Sequence, residues 1–486
     1  MRLTALNGTF AALSNRDFRH LWVGTFATQV GMWTQMVAQA WLAYELTNSA
    51  VFLAAVAIAR SVPSLVVTLP SGVLADRLDR RRIVIGSQFV SMVNSAVLAV
   101  LVLSGSIEAW HLVASSFVLG ATHSFNMPAR QSLVAQLAGY EHMANAVALN
   151  AISFNTSRVL GPALAGVLIG VWGLAACFII QALALVWGML WTLAISDAGG
   201  SPTTTRRVSM WDDLVDGLRY MKGSPAISGL IAIAAVPILV GMVYMQLMPV
   251  FARDVLQVGA SGMGVLMSAV GAGSMAGAFV SAGISGHPRK GIILIGSTAV
   301  FGVAIALFAL SQWLPTSVAA LGLLGVAQAI SMAMNQTLLN LLTPNEYRGR
   351  MMSIYMMTWN FEPAVFLPAG WLTDQIGAPP TTVLAAAVVV VSIGLLGARQ
   401  RAIRDFRDPE ASSVFPTEVT SSEFRVPSPS SSPEFQVLRS ERPVPSGQLQ
   451  VPSRAAGAGI RGGATNGTRT PNPEHGTRNS APGSGR

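Results

Sequence analysis

Apolar residues in this chain gather into long runs, at 20–45, 50–75, 83–104, 108–135, 143–169, 172–195, 226–252, 260–284, 291–311, 315–341, 351–374 and 379–398. A bilayer core about 30 Å thick takes roughly 20 mostly apolar residues of α-helix to cross, and each run has that length. The chain is therefore expected to be an all-α membrane protein with twelve transmembrane helices. Hydrophobic residues make up 52% and charged residues 11% of its 486 positions, less than half the charge of a soluble protein, which excludes an ordinary water-soluble enzyme.

The basic residues say which side is which. Before residue 401 there are 20 Lys and Arg, and 17 of them fall at the N-terminus, in or beside even-numbered connections, or at the end of the last span. Arg77, Arg80, Arg81 and Arg82 follow span 2; Arg206, Arg207, Arg219 and Lys222 follow span 6; Arg289 and Lys290 follow span 8; Arg348 and Arg350 follow span 10. Odd-numbered connections hold Arg253 alone, while Arg60 and Arg158 lie inside spans. By the positive-inside rule both termini are expected in the cytoplasm. The first 19 residues lack the compact apolar stretch of a signal peptide, so the N-terminus is expected to be retained. The net charge of +9 is spread along the chain, with 11 basic and 8 acidic residues after position 400, and no concentrated basic face is present for nucleic acid.

The longest connection within the apolar region divides the chain into 1–195, a linker at 196–225, and 226–405. Two pseudo-symmetric six-helix halves are expected. Within the linker, Met210, Leu214, Leu218 and Met221 recur at helical spacing opposite Asp212, Asp213, Asp216 and Arg219, which predicts an amphipathic helix on the inner membrane surface, with a solvated linker helix as the alternative. From 406 to 486 the composition turns to Ser, Pro, Gly, Thr and Arg, too poor in apolar area to offset chain entropy, and a disordered cytoplasmic tail is expected.

The stretch Gly72-Val-Leu-Ala-Asp76-Arg77-Leu-Asp79-Arg80-Arg81-Arg82 closes span 2. It resembles the signature between the second and third helices of the major facilitator superfamily, with Asp79 where that family usually has Gly. The resemblance implies a gating role for Gly72, Asp76, Arg77, Arg80 and Arg81, with the start of span 11 near Gly349 and Arg350 held against span 2 when the cytoplasmic side is shut. In span 5, Arg158, Gly161, Pro162 and Gly166 stand in an order similar to the antiporter motif of the same superfamily, which implies export; a plain proline kink is the alternative. Phe18-Arg-His-Leu-Trp22, Pro128-Ala-Arg130, Ala144-Asn-Ala146 and Asp216-Gly-Leu-Arg-Tyr220 add a narrower similarity to the bacterial enterobactin-exporter and macrolide-efflux branch.

Charge in the middle of a membrane is costly and points to a partner or a task. Arg60, Arg158 and Glu362 are the candidates, Glu362 as a proton-coupling carboxyl and the arginines as holders of polar or anionic substrate groups; structural bonding is the alternative for each. Gln35 and Gln39 share one face of span 1, and with Asn155 and Asn360 they are candidates for a cavity wall or for hydrogen bonds between helices. Cys177 is the single cysteine and the six histidines lack ligand spacing, so no metal or cofactor is expected. No Gly-Lys-Ser/Thr phosphate loop and no nucleophile–base set appears, which speaks against direct ATP coupling and against an enzyme. The expected function is secondary active efflux, as a monomeric proton antiporter of the bacterial inner membrane carrying a siderophore or an amphipathic drug-like molecule. A non-transporting sensor or scaffold on the same fold is the alternative.

Overall fold

The computed structural model describes residues 11–77, 79–196 and 210–406, apart from the side chains of 64–77, Tyr140, 210–214 and Asn360. The expected tail at 407–486 and the start of the linker lie outside the described residues. Among the described residues the chain is helical throughout, with no strand. After a short 3-10 turn at Ala11–Ser14 come α1 (Arg16–Thr47), α2 (Ala50–Arg77) and α3 (Arg80–Leu103). A helix at Ala109–Trp172 is divided at Gly139 into α4 (109–138) and α5 (Glu141–Trp172), and α6 (Leu174–Leu193) follows. The linker helix α7 (Met210–Gly223) leads to α8 (Pro225–Val255), α9 (Gly259–Gly283), α10 (Lys290–Leu310) and α11 (Leu314–Leu342). Then come α12 (Asn345–Asn360), α13 (Glu362–Ile376), α14 (Ala378–Arg399) and a last turn, α15 (Arg401–Arg404). Every apolar run coincides with helix, overrunning it by two residues at most, and eight helices among the described residues are long and apolar enough to cross a membrane.

Two spans differ from their expected form. Instead of a connection between spans 4 and 5, the chain reverses at Gly139, whose φ of 69° lies where only glycine sits without strain. The eleventh span is interrupted at Phe361, so that α13 begins afresh in mid-span with Glu362 and Pro363 in its first turn. Pro363 cannot donate to the preceding turn, and its ring suits the first position of a new helix.

Within α1–α6 the chief contacts pair α1 with α6, α3 with α6, and α1, α2 and α3 with the 109–172 segment; within α8–α14 they pair α9 with α11, α10 with α11 and α10 with α14. The most extensive contacts between these sets pair α5 with α9 and α2 with α13. Lipid gives helices no hydrophobic reason to associate, so close packing through small residues must hold them. A Cβ on Gly166 would lie 2.9 Å from the Ser261 carbonyl oxygen, and one on Gly264 2.5 Å from that of Pro162. Val100, Leu103, Val167, Leu183, Phe279 and Leu310 are exposed, which is the outside of a protein solvated by acyl chains. Trp110, Trp172, Trp313 and Trp371 stand exposed at helix ends on the face away from the termini, where amphipathic rings anchor at the headgroups.

The linker helix has a partner within the protein: Tyr220 of α7 stacks on Tyr347 of α12 with centroids 4.1 Å apart, and Asp216 meets Arg350 at 3.8 Å. Gly217 lies under Ile354 and Met351 at the same contact.

Candidate functional site

The site is built where α1, α5, α8, α9 and α11 converge. Arg158, halfway along α5, donates from Nη2 to Gln328 Oε1 at 3.1 Å and from Nη1 to Ser274 Oγ at 3.4 Å. Its guanidinium carbon lies 6.0 Å from the centre of the Trp33 ring. One charged side chain from α5 is thus held by a ring on α1 and by polar groups on α9 and α11. Such a buried guanidinium needs acceptors on every side, and an aromatic face supplies one more.

Two cavities flank this arginine. One is lined by Trp33, Arg158, Pro162, Tyr244, Met245, Met248, Met267 and Val270. The other is bounded by α8, α10, α11 and α12 through residues that include Met242, Gln328, Met332, Asn335, Tyr355 and Trp359. Gln328 separates them, because its amide also donates to Met242 Sδ at 3.6 Å while its oxygen holds Arg158. The Tyr244 hydroxyl and the Trp33 indole N–H are buried on the first cavity without a hydrogen-bond partner among the described residues, and so is Asn335 Oδ1 on the second. Buried polar groups left in that state favour a ligand that brings the missing partner.

Tyr244 lies within electrostatic reach of both Arg158 and Glu362. Two of the three charges singled out in the sequence, Arg158 and Glu362, are therefore brought to the region of Tyr244. Glu362 occupies the first turn of α13, whose N-terminal dipole faces a carboxylate favourably. Helix α8 owes its contribution to irregularity. It contains π-helical turns at Pro237–Gly241 and Phe251–Val255, and the segment between them turns Met242, Tyr244, Met245 and Met248 toward the cavities. Nothing in a single Tyr within an apolar run marks it as a site residue.

Other candidates sit elsewhere. Gln35 Oε1 accepts from Ser95 Oγ at 2.7 Å, and Gln39 Nε2 donates to Ser116 Oγ at 2.7 Å, so both amides bind helices α3 and α4 rather than a cavity. Asn155 donates to the Ala151 carbonyl of its own helix. Arg60 lies against α4, where a Cβ on Gly120 would meet its carbonyl oxygen at 1.9 Å, and its charge is felt by His123, which also senses Arg130. Asn360 belongs to α12, but its side chain is outside the described residues.

The two motifs are placed as follows. Gly72, Asp76 and Arg77 fall in the last turns of α2, with their side chains outside the described residues. Arg80 opens α3. Arg81 donates to the carbonyls of Thr192 at 3.1 Å and Leu193 at 2.5 Å, so it caps the C-terminus of α6. Asp79, the departure from the family pattern, N-caps α3 by accepting the Arg81 amide at 2.9 Å. In α5, Gly161 brings the backbone so near α1 that a Cβ would lie 2.4 Å from Trp33 Cβ, and its carbonyl accepts from Thr34 Oγ1 at 3.0 Å. Gly166 does the same toward α9.

Hydrogen bonds also join the helix sets at the rim away from the termini. Tyr44 donates to Asp254, and Arg253 reaches the Tyr44 carbonyl at 3.5 Å with its guanidinium over the Tyr44 ring. Asp374 at the end of α13 receives bonds from Ser49, Ala50 and Val51.

With this geometry in hand, the chain can be set beside known proteins. It is 26% identical over 377 residues to the enterobactin exporter EntS of Salmonella typhi, covering 76% of this chain and 85% of the relative. It is 24% identical over 378 residues to the multidrug efflux pump Tap of Mycolicibacterium fortuitum, covering 74% and 90%. A crystal structure of a POT family transporter in complex with a thioalcohol-conjugated peptide superposes with a TM-score of 0.65 at 12% identity, over 80% of this chain and 96% of that one, so the fold is that of major facilitator transporters. Residues 7–427 match the transmembrane secretion effector family, and the chain belongs to it.

Proposed function

We propose that this protein is a secondary active exporter of the bacterial inner membrane, moving a siderophore or an amphipathic drug-like molecule outward in exchange for protons. Two halves, 1–195 and 226–405, would rock about the α5–α9 and α2–α13 contacts and expose the central cavities to each face in turn, with both termini in the cytoplasm. The observation that carries this is Arg158, which from α5 reaches Gln328 and Ser274 on the other half beside two cavities lined by methionine and aromatic residues. Methionine and aromatic walls adapt to large, partly apolar solutes. The unpartnered donors of Tyr244 and Trp33, together with Arg158, favour a solute carrying acceptor or anionic groups.

Glu362 is the coupling carboxyl in this scheme. It stands at the start of a half-helix within reach of Tyr244, so that gain of a proton alters the charge that Arg158 and a bound anion experience. The functions of the two relatives, enterobactin export and multidrug efflux, support the outward direction and the breadth of solute.

The test is accumulation of a siderophore and a panel of antibiotics in efflux-deficient cells, with and without an uncoupler. Expression lowers accumulation of at least one compound, and the uncoupler restores it. Equal retention by expressing and empty cells across the panel overturns the proposal.

A further inference from the structure

Helices α2 and α13 are neighbours in which the end of one meets the beginning of the other. Their last turns share a spacing, Gly72-Val-Leu-Ala-Asp76 in α2 and Gly370-Trp-Leu-Thr-Asp374 in α13. The second of these is engaged. A Cβ on Gly370 would lie 2.7 Å from the Ala50 carbonyl oxygen and 3.0 Å from Val51 Cα, so only glycine lets the two backbones come this close. One helical turn further, Asp374 Oδ1 accepts the Ala50 amide at 2.7 Å, and Oδ2 accepts the Ser49 hydroxyl at 2.8 Å and the Val51 amide at 3.3 Å. The Ser49 hydroxyl oxygen in turn accepts the Phe52 amide at 3.3 Å.

The first N–H groups of a helix have no partner within it, and they carry its positive end. Usually a side chain just upstream satisfies them, whatever the rest of the molecule does. Here Ser49 satisfies one, and two are satisfied by a carboxylate that arrives from a helix more than three hundred residues later in the chain. Two of the three side-chain bonds that cap α2 therefore exist only while α13 is pressed against it. Asp374 is also solvent-exposed, so on separation water takes over each bond at little cost. A contact meant to open repeatedly needs that property, which a buried ion pair lacks.

We propose that Gly370 and Asp374 are the latch of the rim away from the termini, the positioning residues that hold that side shut and must let go of α2 for solute to leave. Gly72 and Asp76 have the same spacing at the other end of α2. The Tyr44–Asp254 bond lies on the same rim, within the electrostatic reach of Asp374, and closes α1 on α8 as the latch closes α2 on α13. This rests on the alternating-access reading of the fold, although its test needs no transported solute.

In a Cys177→Ala background, Met245→Cys places a thiol on the cavity wall below the rim, and intact cells are treated with a membrane-impermeant maleimide. Asp374→Ala raises the labelling rate about tenfold over the Asp374 parent, and Asp374→Asn raises it less, as expected for a two-state equilibrium that loses charge-assisted hydrogen bonds. A rate within twofold of the parent, in protein that remains monodisperse, overturns the latch. Should Asp374→Ala fail to fold, the pair Ser49→Cys with Asp374→Cys decides: oxidation crosslinks it and suppresses maleimide labelling of the thiol at position 245, read by peptide mass spectrometry apart from labelling of the pair, and a reductant, removed before the maleimide is added, restores it. Absence of the crosslink, or unchanged labelling once it has formed, overturns the proposal equally. If labelling follows the latch while no compound is exported, the efflux reading fails and the latch stands.

Discussion

Arg158 shows how a residue can be conspicuous in sequence and still have its meaning set by its neighbours. A guanidinium in mid-span is rare, and that, with its place in the antiporter-like order of span 5, singled it out; that it reaches Gln328 and Ser274 depends on how α5 packs against α9 and α11, and no local pattern records it. Glu362 was legible for the same reason. Tyr244 was not, because a phenol within an apolar run is most often packing material. Arg158→Ala removes two hydrogen bonds from buried acceptors, each worth about 1.5–3 kcal/mol when one partner is charged, and should lower the unfolding temperature of the detergent-solubilised protein by several degrees. Arg158→Lys restores charge without the planar fork and should recover only part of that loss. Glu362→Gln keeps shape and removes the exchangeable proton; uptake into inverted vesicles driven by a proton gradient should fall to the background of empty vesicles. Full gradient-driven uptake by that variant would exclude Glu362 from coupling.

Among elements, the spans that stay regular were readable almost to the residue, since length and apolarity determine a membrane helix. What could not be read was where a helix breaks. The eleventh span looked continuous although Pro363 was in view, because proline in a membrane helix can kink it or restart it, and the surrounding packing decides between these. The docking of the linker helix on α12 was not legible, since its stacking partner Tyr347 lies far along the chain. The small residues of α5 gain a concrete task from the structure. Gly161→Val would drive methyl groups into Trp33 and the α1 backbone, and overpacking of that kind costs about 1–3 kcal/mol or more. The expected result is reduced yield and a lower melting temperature, whereas Gly394→Val, where no atom lies within 4 Å of the added Cβ, should leave both unchanged.

At the scale of the whole molecule, the apolar exterior and the ring of tryptophans at one rim define how the protein sits in a bilayer. Truncation after residue 405 removes Ser- and Pro-rich chain and none of the described helices apart from the final residue of the described region, so export in efflux-deficient cells should persist at parental level. A scaffold acting through that segment would instead lose its activity. The reversal at Gly139 has a consequence for any motion of this assembly. A joint with a single non-helical residue, held at a backbone angle that other residues resist, leaves α4 and α5 little slack to travel separately. A displacement that begins where Gly166 meets α9 must therefore be carried through α5 and around the bend into α4, much as a crank passes torque from one arm to the other.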